Sequence, residues 1–506
     1  MNTPGSAGSA GPLTIQQMLW NLVLRLAEVL PSVNKKLRRR ILSKEMILRN
    51  RLEKQFMKFA ERGTRILLWR YGGERPNSEH LHIERHLILL MQRMSLLFAL
   101  SLVPLPLAAQ QPHKVTQAEV DRITRDAILI DTHNDVTSLT VEGYDIATPN
   151  KRGQTDLARM KGFLGAEFFA VYVGADYVNG NHSANRALQM IDTVRTDIIA
   201  AHPDEFVFAT TAEDIVRAHN EHKIAALMGI EGGHAIEDSL RLLRDYYALG
   251  VRYMTLTHFN TNNWADSQGD VDNPKVTHHN GLTPFGKEVV REMNRLGMMV
   301  DISHTADKTF WDALETSTAP LLASHSGCRA VSSYTRNLTD EMIQALAAKG
   351  GVMQINFGCE FLSQRYFTDS KPLQAAMREQ YRAAMKIEDP AEKAAAIEKL
   401  REEFAGKVPP ATLADVVAQI DHAVKIGGID HVGIGTDFDG VGCVPPELSS
   451  YNKFPTLTRA LLEKGYSAED IKKIYGGNLL RVMRAVEQRA RQLRSTPAIH
   501  AEISKP

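Results

Sequence analysis

From about residue 115 onward, short and almost wholly apolar runs alternate with longer segments whose apolar positions recur every three or four residues. The runs are AILID (127–131), AEFFAVYV (166–173), IAALMGIE (224–231), VRYMTLTH (251–258), MMVDISH (298–304), PLLASHS (320–326), GGVMQINF (350–357) and HVGIGTD (431–437). Continuous apolar runs are what parallel strands need when they are buried on both faces. The segments between them read as helices. DSLRLLRDYYALG (238–250), for example, opens on an acidic cap and stops at Gly250, the residue that most easily turns left-handed at a helix end. Eight strand–helix repeats predict an α/β fold, a (β/α)8 TIM-like barrel over residues 115–490, in preference to a doubly wound open sheet. Between the seventh and eighth runs, residues 362–408 are rich in Ala, Glu and Lys, with helical spacing and a break at Pro390. This predicts a helical insertion on the barrel rim, either a solvated hairpin or a lid or dimer contact. Residues 491–506 read as a C-terminal tail.

Upstream the pattern is different. Residues 1–90 form an extension with a Gly/Ser-rich start, an apolar stretch at helical spacing from Ile15 to Leu30, and a basic cluster of Lys35, Lys36, Arg38, Arg39 and Arg40. It reads either as an amphipathic surface or partner helix, or as sequence upstream of a true start at Met91 or Met94. The second reading draws on residues 91–109, where a basic start, the run SLLFALSLVPLPLAA and the small residues Ala108 and Ala109 follow the order of a signal peptide. Pro104 and Pro106 make that run too short and broken for a spanning helix. A working signal would place the protein in the periplasm or outside the cell.

Composition changes this picture little. Lys+Arg number 60 against Asp+Glu 59, so charge gives no reason to expect a nucleic-acid partner. Cys328, Cys359 and Cys443 lack CxxC or finger spacing; one bridge in an oxidising compartment and three free thiols both remain open. The 18 histidines matter more, because of where they fall.

Barrel enzymes carry their chemistry at the C-terminal ends of the strands. Here the first run ends Asp131-Thr-His133-Asn-Asp135, the third Glu231-Gly-Gly-His234, and the fourth His258. The fifth ends Asp301-Ile-Ser-His304, the sixth Ser324-His325-Ser326, and the eighth Asp437-Phe-Asp439-Gly440. A single histidine or aspartate after a strand is more often structural. Imidazoles and carboxylates converging from several strands would be costly to bury unless divalent cations neutralised them. His133 and Asp135, two apart on an extended strand, share a face; Glu231 has two oxygens and can bridge; His304 and His325 complete a second site. The nitrogen and oxygen donors suit Zn²⁺ without excluding Mn²⁺, Fe²⁺ or Co²⁺.

Together DTHNDV, GIEGGH, TLTHFNTNNWAD, DISH, SHS, GIGTDFDGV and YGGNLLRV resemble the membrane dipeptidases, renal dipeptidase and its bacterial relatives, which are zinc peptidases of the amidohydrolase superfamily. The resemblance covers roughly residues 120–490 in consistent order. It implies a (β/α)8 barrel, two Zn²⁺ per chain, a dipeptide substrate and a homodimer. It makes His133 and Asp135 ligands of one zinc, Glu231 the bridging carboxylate, and His304 and His325 ligands of the other. It also makes Asp437 the catalytic acid/base, His258 the catalytic and substrate-binding histidine beside the scissile carbonyl, and Arg336, in YTRN, the arginine that holds the substrate's carboxylate. The insertion departs from the mammalian pattern and leaves substrate range and oligomer geometry open.

The expected reaction is hydrolysis of a dipeptide by hydroxide shared between two metals, with acceptance of a D-residue at the C-terminal position left open. Two other readings stand beside it. One is a metal-dependent amidohydrolase acting on cyclic amides, lactams or N-acyl amino acids, against which Arg336 argues. The other is a non-catalytic envelope binding protein, against which the intact ligands and Asp437 argue.

Overall fold

In the computed structural model, which describes residues 114–503 apart from Arg152 and Ala405, the strands come in the order the apolar runs predict, with one addition. They are β1 (Ile130–Asn134), β2 (Ala166–Tyr172), β3 (Phe206–Phe208), β4 (Ile224–Glu231), β5 (Val251–Thr255), β6 (Met299–Asp301), β7 (Leu322–Ser326), β8 (Val352–Ile355) and β9 (Val432–Ile434). All pairings are parallel, in the order β1-β2-β4-β5-β6-β7-β8-β9. The two ends meet through a parallel bridge between Asn134 and Phe438 and through Asp437 N donating to His133 O at 3.0 Å. The predicted eight-stranded barrel is therefore present and nearly closed.

The additional strand, β3, pairs with Ile224–Ala226, while β5 takes Met228–Glu231. One edge of the long β4 thus serves two neighbours. Three residues carry too little pattern to announce a strand, so β3 was not foreseen. The segments 1–90 and 91–109 lie outside the described residues. No helix among the described residues is long and apolar enough to cross a membrane.

The barrel is filled rather than hollow. Ile130, Phe168, Leu227, Tyr253, Met299, Leu322 and Val352 are buried in one hydrophobic cluster with Leu479, Leu480, Val482, Met483 and Val486 of the C-terminal helix Asn478–Leu493. That helix supplies apolar bulk to the lower part of the barrel, leaving polar groups to the C-terminal mouth. The helix predicted at 238–250 runs from Leu240 to Leu249 and ends on Gly250 at φ 113°. Its acidic opening is a correction. Ser239 holds the cap position, and Asp238 lies outside in a left-handed turn, where it accepts from Asn263 Nδ2 at 2.7 Å.

The insertion is a pair of helices, Gln364–Ala384 and Pro390–Phe404. Pro390 breaks the pattern as read, and does so as the first residue of the second helix, where a missing N–H costs nothing. The insertion's base is fastened to the barrel. Cys359, just after β8, is bonded to Cys443 beyond β9, and Cys359 N donates to Cys443 O at 2.9 Å. Of the alternatives left open for the cysteines, the structure takes one bridge, with Cys328 buried as a free thiol.

Candidate metal centre and active site

The strand-end residues converge on one carboxylate oxygen. Glu231, at the end of β4, places Oε1 3.0 Å from His304 Nε2, 3.5 Å from His133 Nε2, 3.5 Å from His325 Nε2 and 3.8 Å from His258 Nε2. His304 Nε2 and His325 Nε2 are 3.0 Å apart, and His133 Nε2 is 3.3 Å from Asp135 Oδ2. Three overlapping donor groups result: His133–Glu231–His325, Glu231–His258–His304 and His133–Asp135–Asp437, each with its ligand atoms within 4.8 Å of one another. All seven residues are buried.

The local backbone explains how this crowding is reached. Asp135 does not stand on the strand as the alternation argument required. The chain has left extended geometry there, at φ −97° and ψ 12°, to start the helix Val136–Thr140, and this turn brings its carboxylate back beside His133. His304 and Asp437 are both left-handed, at φ 66° and 60°, conformations that cost a non-glycine residue on the order of 1 kcal/mol. Gly440 is a glycine for a different reason, since a Cβ there would collide with the carboxylates of Asp135 and Asp437.

Beneath the donors lies a network that fixes their rings. His133 Nδ1 is 2.7 Å from Tyr253 Oη, whose hydroxyl donates to Thr132 O at 3.0 Å. The tyrosine's one proton is then committed, so His133 donates from Nδ1 and turns a bare Nε2 to the cluster. His325 is set the same way: its Nδ1 meets Ser324 Oγ at 2.8 Å, and Ser324 Oγ donates to Asp301 Oδ2 at 2.6 Å. Asp301, at the end of β6, thus backs His325 of the next strand through Ser324. Asp437 Oδ2 accepts from Asn356 Nδ2 at 2.7 Å, a partner no motif announced. Asp131 accepts from Thr436 N at 2.7 Å and Tyr451 Oη at 2.8 Å, tying β1 to the segment after β9.

Other residues of the motifs prove structural. His234 sits in the short turn Gly233–Ile236, with Nε2 2.9 Å from Val173 O. Asp439 accepts from Gln154 N at 2.9 Å and so shapes the loop after β9. Trp264 is buried in the core, and Asn262 accepts from Trp264 N and Ala265 N at 3.0 and 2.9 Å. The tryptophan is therefore core packing and the asparagine a loop brace.

The electrostatics are mixed: burial is outweighed at His133, where Tyr253, Glu231 and Asp135 hold the imidazole well above its usual range, and at Glu231, where His133 and His258 hold the carboxyl well below its own. Burial raises the Asp437 carboxyl well above its usual range, and the charges of Asp135 and Glu231 add to that rise. Burial also holds His304 and His325 well below the usual imidazole range, helped by the nearby positive charge of Arg336. Burial brings His258 down to about 4. His133 Nε2 is buried without a hydrogen bond among the described residues. Three carboxylates and four imidazoles crowded into overlapping groups, each with its ligand atoms within 4.8 Å, are what a divalent cation reconciles. The absence of sulfur from the set fits a hard or borderline ion, so the residues present fit a metal.

Arg336 completes the site. It is 4% exposed, its guanidinium lies 5.5 Å from the centre of the Phe361 ring, and its Nε and NH2 make no hydrogen bond among the described residues. Burial lowers its pKa. A buried cation with two unengaged nitrogens is a binding group awaiting an anion.

A filled parallel barrel with clustered imidazoles and carboxylates at the C-terminal strand ends has the architecture of a metal-dependent hydrolase. Comparison with known proteins narrows that class. Residues 117–497 match the family model described as membrane dipeptidase, peptidase family M19. Dipeptidase 3 of Mus musculus is 33% identical over 383 residues, covering 74% of this chain and 68% of the mouse protein. Among solved structures, the probable dipeptidase PvdM from Pseudomonas aeruginosa superposes with a TM-score of 0.62 at 26% identity, covering 74% of this chain and 99% of that one. A family M19 metallopeptidase, dipeptidase AC, gives 0.58 at 25% identity, covering 71% and 98%. The chain belongs to the membrane dipeptidase family, M19, and is a metallo-dipeptidase.

Proposed function

We propose that this metallo-dipeptidase works with two Zn²⁺ ions and cleaves dipeptides whose free C-terminal carboxylate is taken by Arg336. In this reading His133 and Asp135 hold one ion, His304 and His325 the other, and Glu231 serves both. Ions held by these residues would supply Lewis-acid chemistry, lowering the pKa of water and polarising the scissile carbonyl. The protein's own groups do the rest. Asp437, anchored through Oδ2 by Asn356, has Oδ1 left to accept a proton from the attacking water and return it to the leaving amine. His258, kept neutral by burial with a pKa of about 4, offers an N–H to the oxygen on which negative charge develops.

The observation that carries the substrate class is the buried guanidinium of Arg336 with Nε and NH2 unengaged. A neutral lactam or a blocked peptide gives that cation no counter-charge, whereas a dipeptide carboxylate gives two oxygens in the matching fork. The test is a panel of L,L and L,D dipeptides, each free and C-terminally amidated, assayed before chelation, after chelation and after zinc re-addition. Chelation should abolish turnover and zinc restore it. Arg336→Met should raise KM for the free dipeptide at least about thirty-fold, the scale of losing one partner of a buried charge pair, and leave amidated substrates unchanged. Equal losses on both would rule out the carboxylate role, and chelator-insensitive hydrolysis would rule out the metal.

We also propose an oxidising compartment, periplasmic or extracellular, as the working location. The Cys359–Cys443 bridge supports this, because disulfides persist where thiols are not kept reduced. Mass spectrometry after alkylation of the native protein should find one modifiable thiol per chain on denaturation; three would count against it.

A further inference from the structure

The inserted helices reach the substrate arginine through a run of rings. Phe361, in the short helix Cys359–Leu362, lies under the Arg336 guanidinium at 5.5 Å. Tyr334, two residues before Arg336, meets Phe361 edge-on at 4.9 Å and Phe367 at 5.3 Å. Phe367 belongs to the first inserted helix, Gln364–Ala384. Hydrogen bonds bind the same two segments together. Gln364 Oε1 accepts from Ser333 N at 2.7 Å, and Asn337 Nδ2 donates to Phe361 O at 2.9 Å. The loop carrying Arg336 is thus gripped on both sides of the arginine by the base of the insertion.

We propose that the insertion is a positioning element for substrate recognition: through Phe367, Tyr334 and Phe361 it sets the Arg336 guanidinium that receives the dipeptide carboxylate. The inference rests on the carboxylate role given to Arg336 above. Among the described residues Nε and Nη2 of the guanidinium have no hydrogen-bond partner, so its place depends on the ring beneath it and on the loop around it. Ring-on-ring and cation-on-ring contacts have preferred geometries, and a shift in the first inserted helix is passed to Arg336 through them. The hairpin is then a determinant of KM rather than of the bond-breaking step, since the run of rings that starts at Phe367 ends at the arginine.

The test uses the full-length, metal-loaded enzyme. Phe367 and Tyr334 are only half-buried, so Phe367→Ala should fold, and its melting temperature checks that it does. KM for a free dipeptide should rise about three- to ten-fold, the scale of one aromatic contact, with kcat and the rate on the amidated dipeptide unchanged. Phe367→Tyr, which keeps the ring, should restore KM. An unchanged KM in a folded Phe367→Ala protein, or equal loss on free and amidated substrates, overturns the proposal. Arg336→Met in the same assay separates the two readings. If it discriminates free from amidated substrate and Phe367→Ala does not, only the hairpin's role falls. If it fails to discriminate, the carboxylate role falls and the hairpin's role with it.

Discussion

The β1/β9 side of the donor cluster and its β6/β7 side are built on different principles. On the first, one imidazole, His133, stands with two carboxylates, Asp135 and Asp437. On the second, His304 and His325 face each other at 3.0 Å, and the carboxylate they meet is Glu231, held in common. The backing differs too. His133 leans on the Tyr253 phenol, whose proton ends on a backbone carbonyl, whereas His325 leans on Ser324 and, through it, on the Asp301 carboxylate. The β1/β9 side is further braced by Asn356 and by the bridge between Cys359 and Cys443. In the proposed reading the contrast divides the labour: proton movement falls to the side where Asp437 is anchored by Asn356, and fixed donation to the side where His304 and His325 are held by burial.

The strongest way to break this division is to neutralise the one group it makes responsible for protons. Asp437→Asn keeps the shape and a hydrogen-bonding side chain, so metal content measured by elemental analysis should remain that of the parent. Turnover should fall about 10²- to 10⁴-fold, the usual contribution of a positioned acid/base. Loss of metal together with turnover would make Asp437 chiefly a ligand, a role its place beside His133 and Asp135 also permits, and the two sides would then differ less than the geometry suggests.

How much of this was legible in the sequence depends on how local each feature is. The barrel was readable because each strand carries its own apolar run. The donors were readable because the fold puts every strand end at one mouth, so His133, Asp135, Glu231, His304, His325 and Asp437 needed only to follow their runs. What failed to show was set by contacts across the closed barrel. Asn356 meets Asp437 across 81 positions of chain, and Cys359 meets Cys443 across 84; neither pair has a spacing rule. The left-handed backbone at His304 and Asp437 is uncommon even for His and Asp, the types that tolerate it better than most, so the sequence alone does not single these positions out. The link from Asp301 to His325 is hidden as those cross-barrel pairs are, since it runs through Ser324 of the next strand.

A middle-sized effect separates the two sides by their backing. Ser324→Ala removes the relay from Asp301 to His325 and should weaken metal binding on the β6/β7 side about 10- to 100-fold, the range found when a ligand histidine loses its outer partner. Tyr253→Phe removes the corresponding hydroxyl from His133. Because that hydroxyl passes to a carbonyl and not to a carboxylate, its loss should fall at the lower end of the range. Zinc titration of the apo-protein against a competing chelator reads both. Equal weakening would show that the carboxylate behind Ser324 adds nothing, and a larger effect for Tyr253→Phe would reverse the comparison.

The smallest expected change in catalysis comes from the disulfide. Cys359→Ser with Cys443→Ser opens a covalent link between the segment after β8 and the loop after β9, both of which hold the Asp437 carboxylate in place. Removing a native bridge of this kind lowers stability by about 2–5 kcal/mol, so the melting temperature should drop clearly. Turnover should change only a few-fold, because three hydrogen bonds of the same junction survive: Asn356 Nδ2 to Asp437 Oδ2 at 2.7 Å, Asp437 N to His133 O at 3.0 Å, and Phe357 N to Thr436 O at 3.1 Å. Thermal unfolding and kcat measured on the same preparation decide the point. If turnover collapses as far as in Asp437→Asn while the fold persists, the covalent bridge and not the amide of Asn356 sets the carboxylate. The β1/β9 side would then be a redox-dependent half of the site facing a redox-indifferent one.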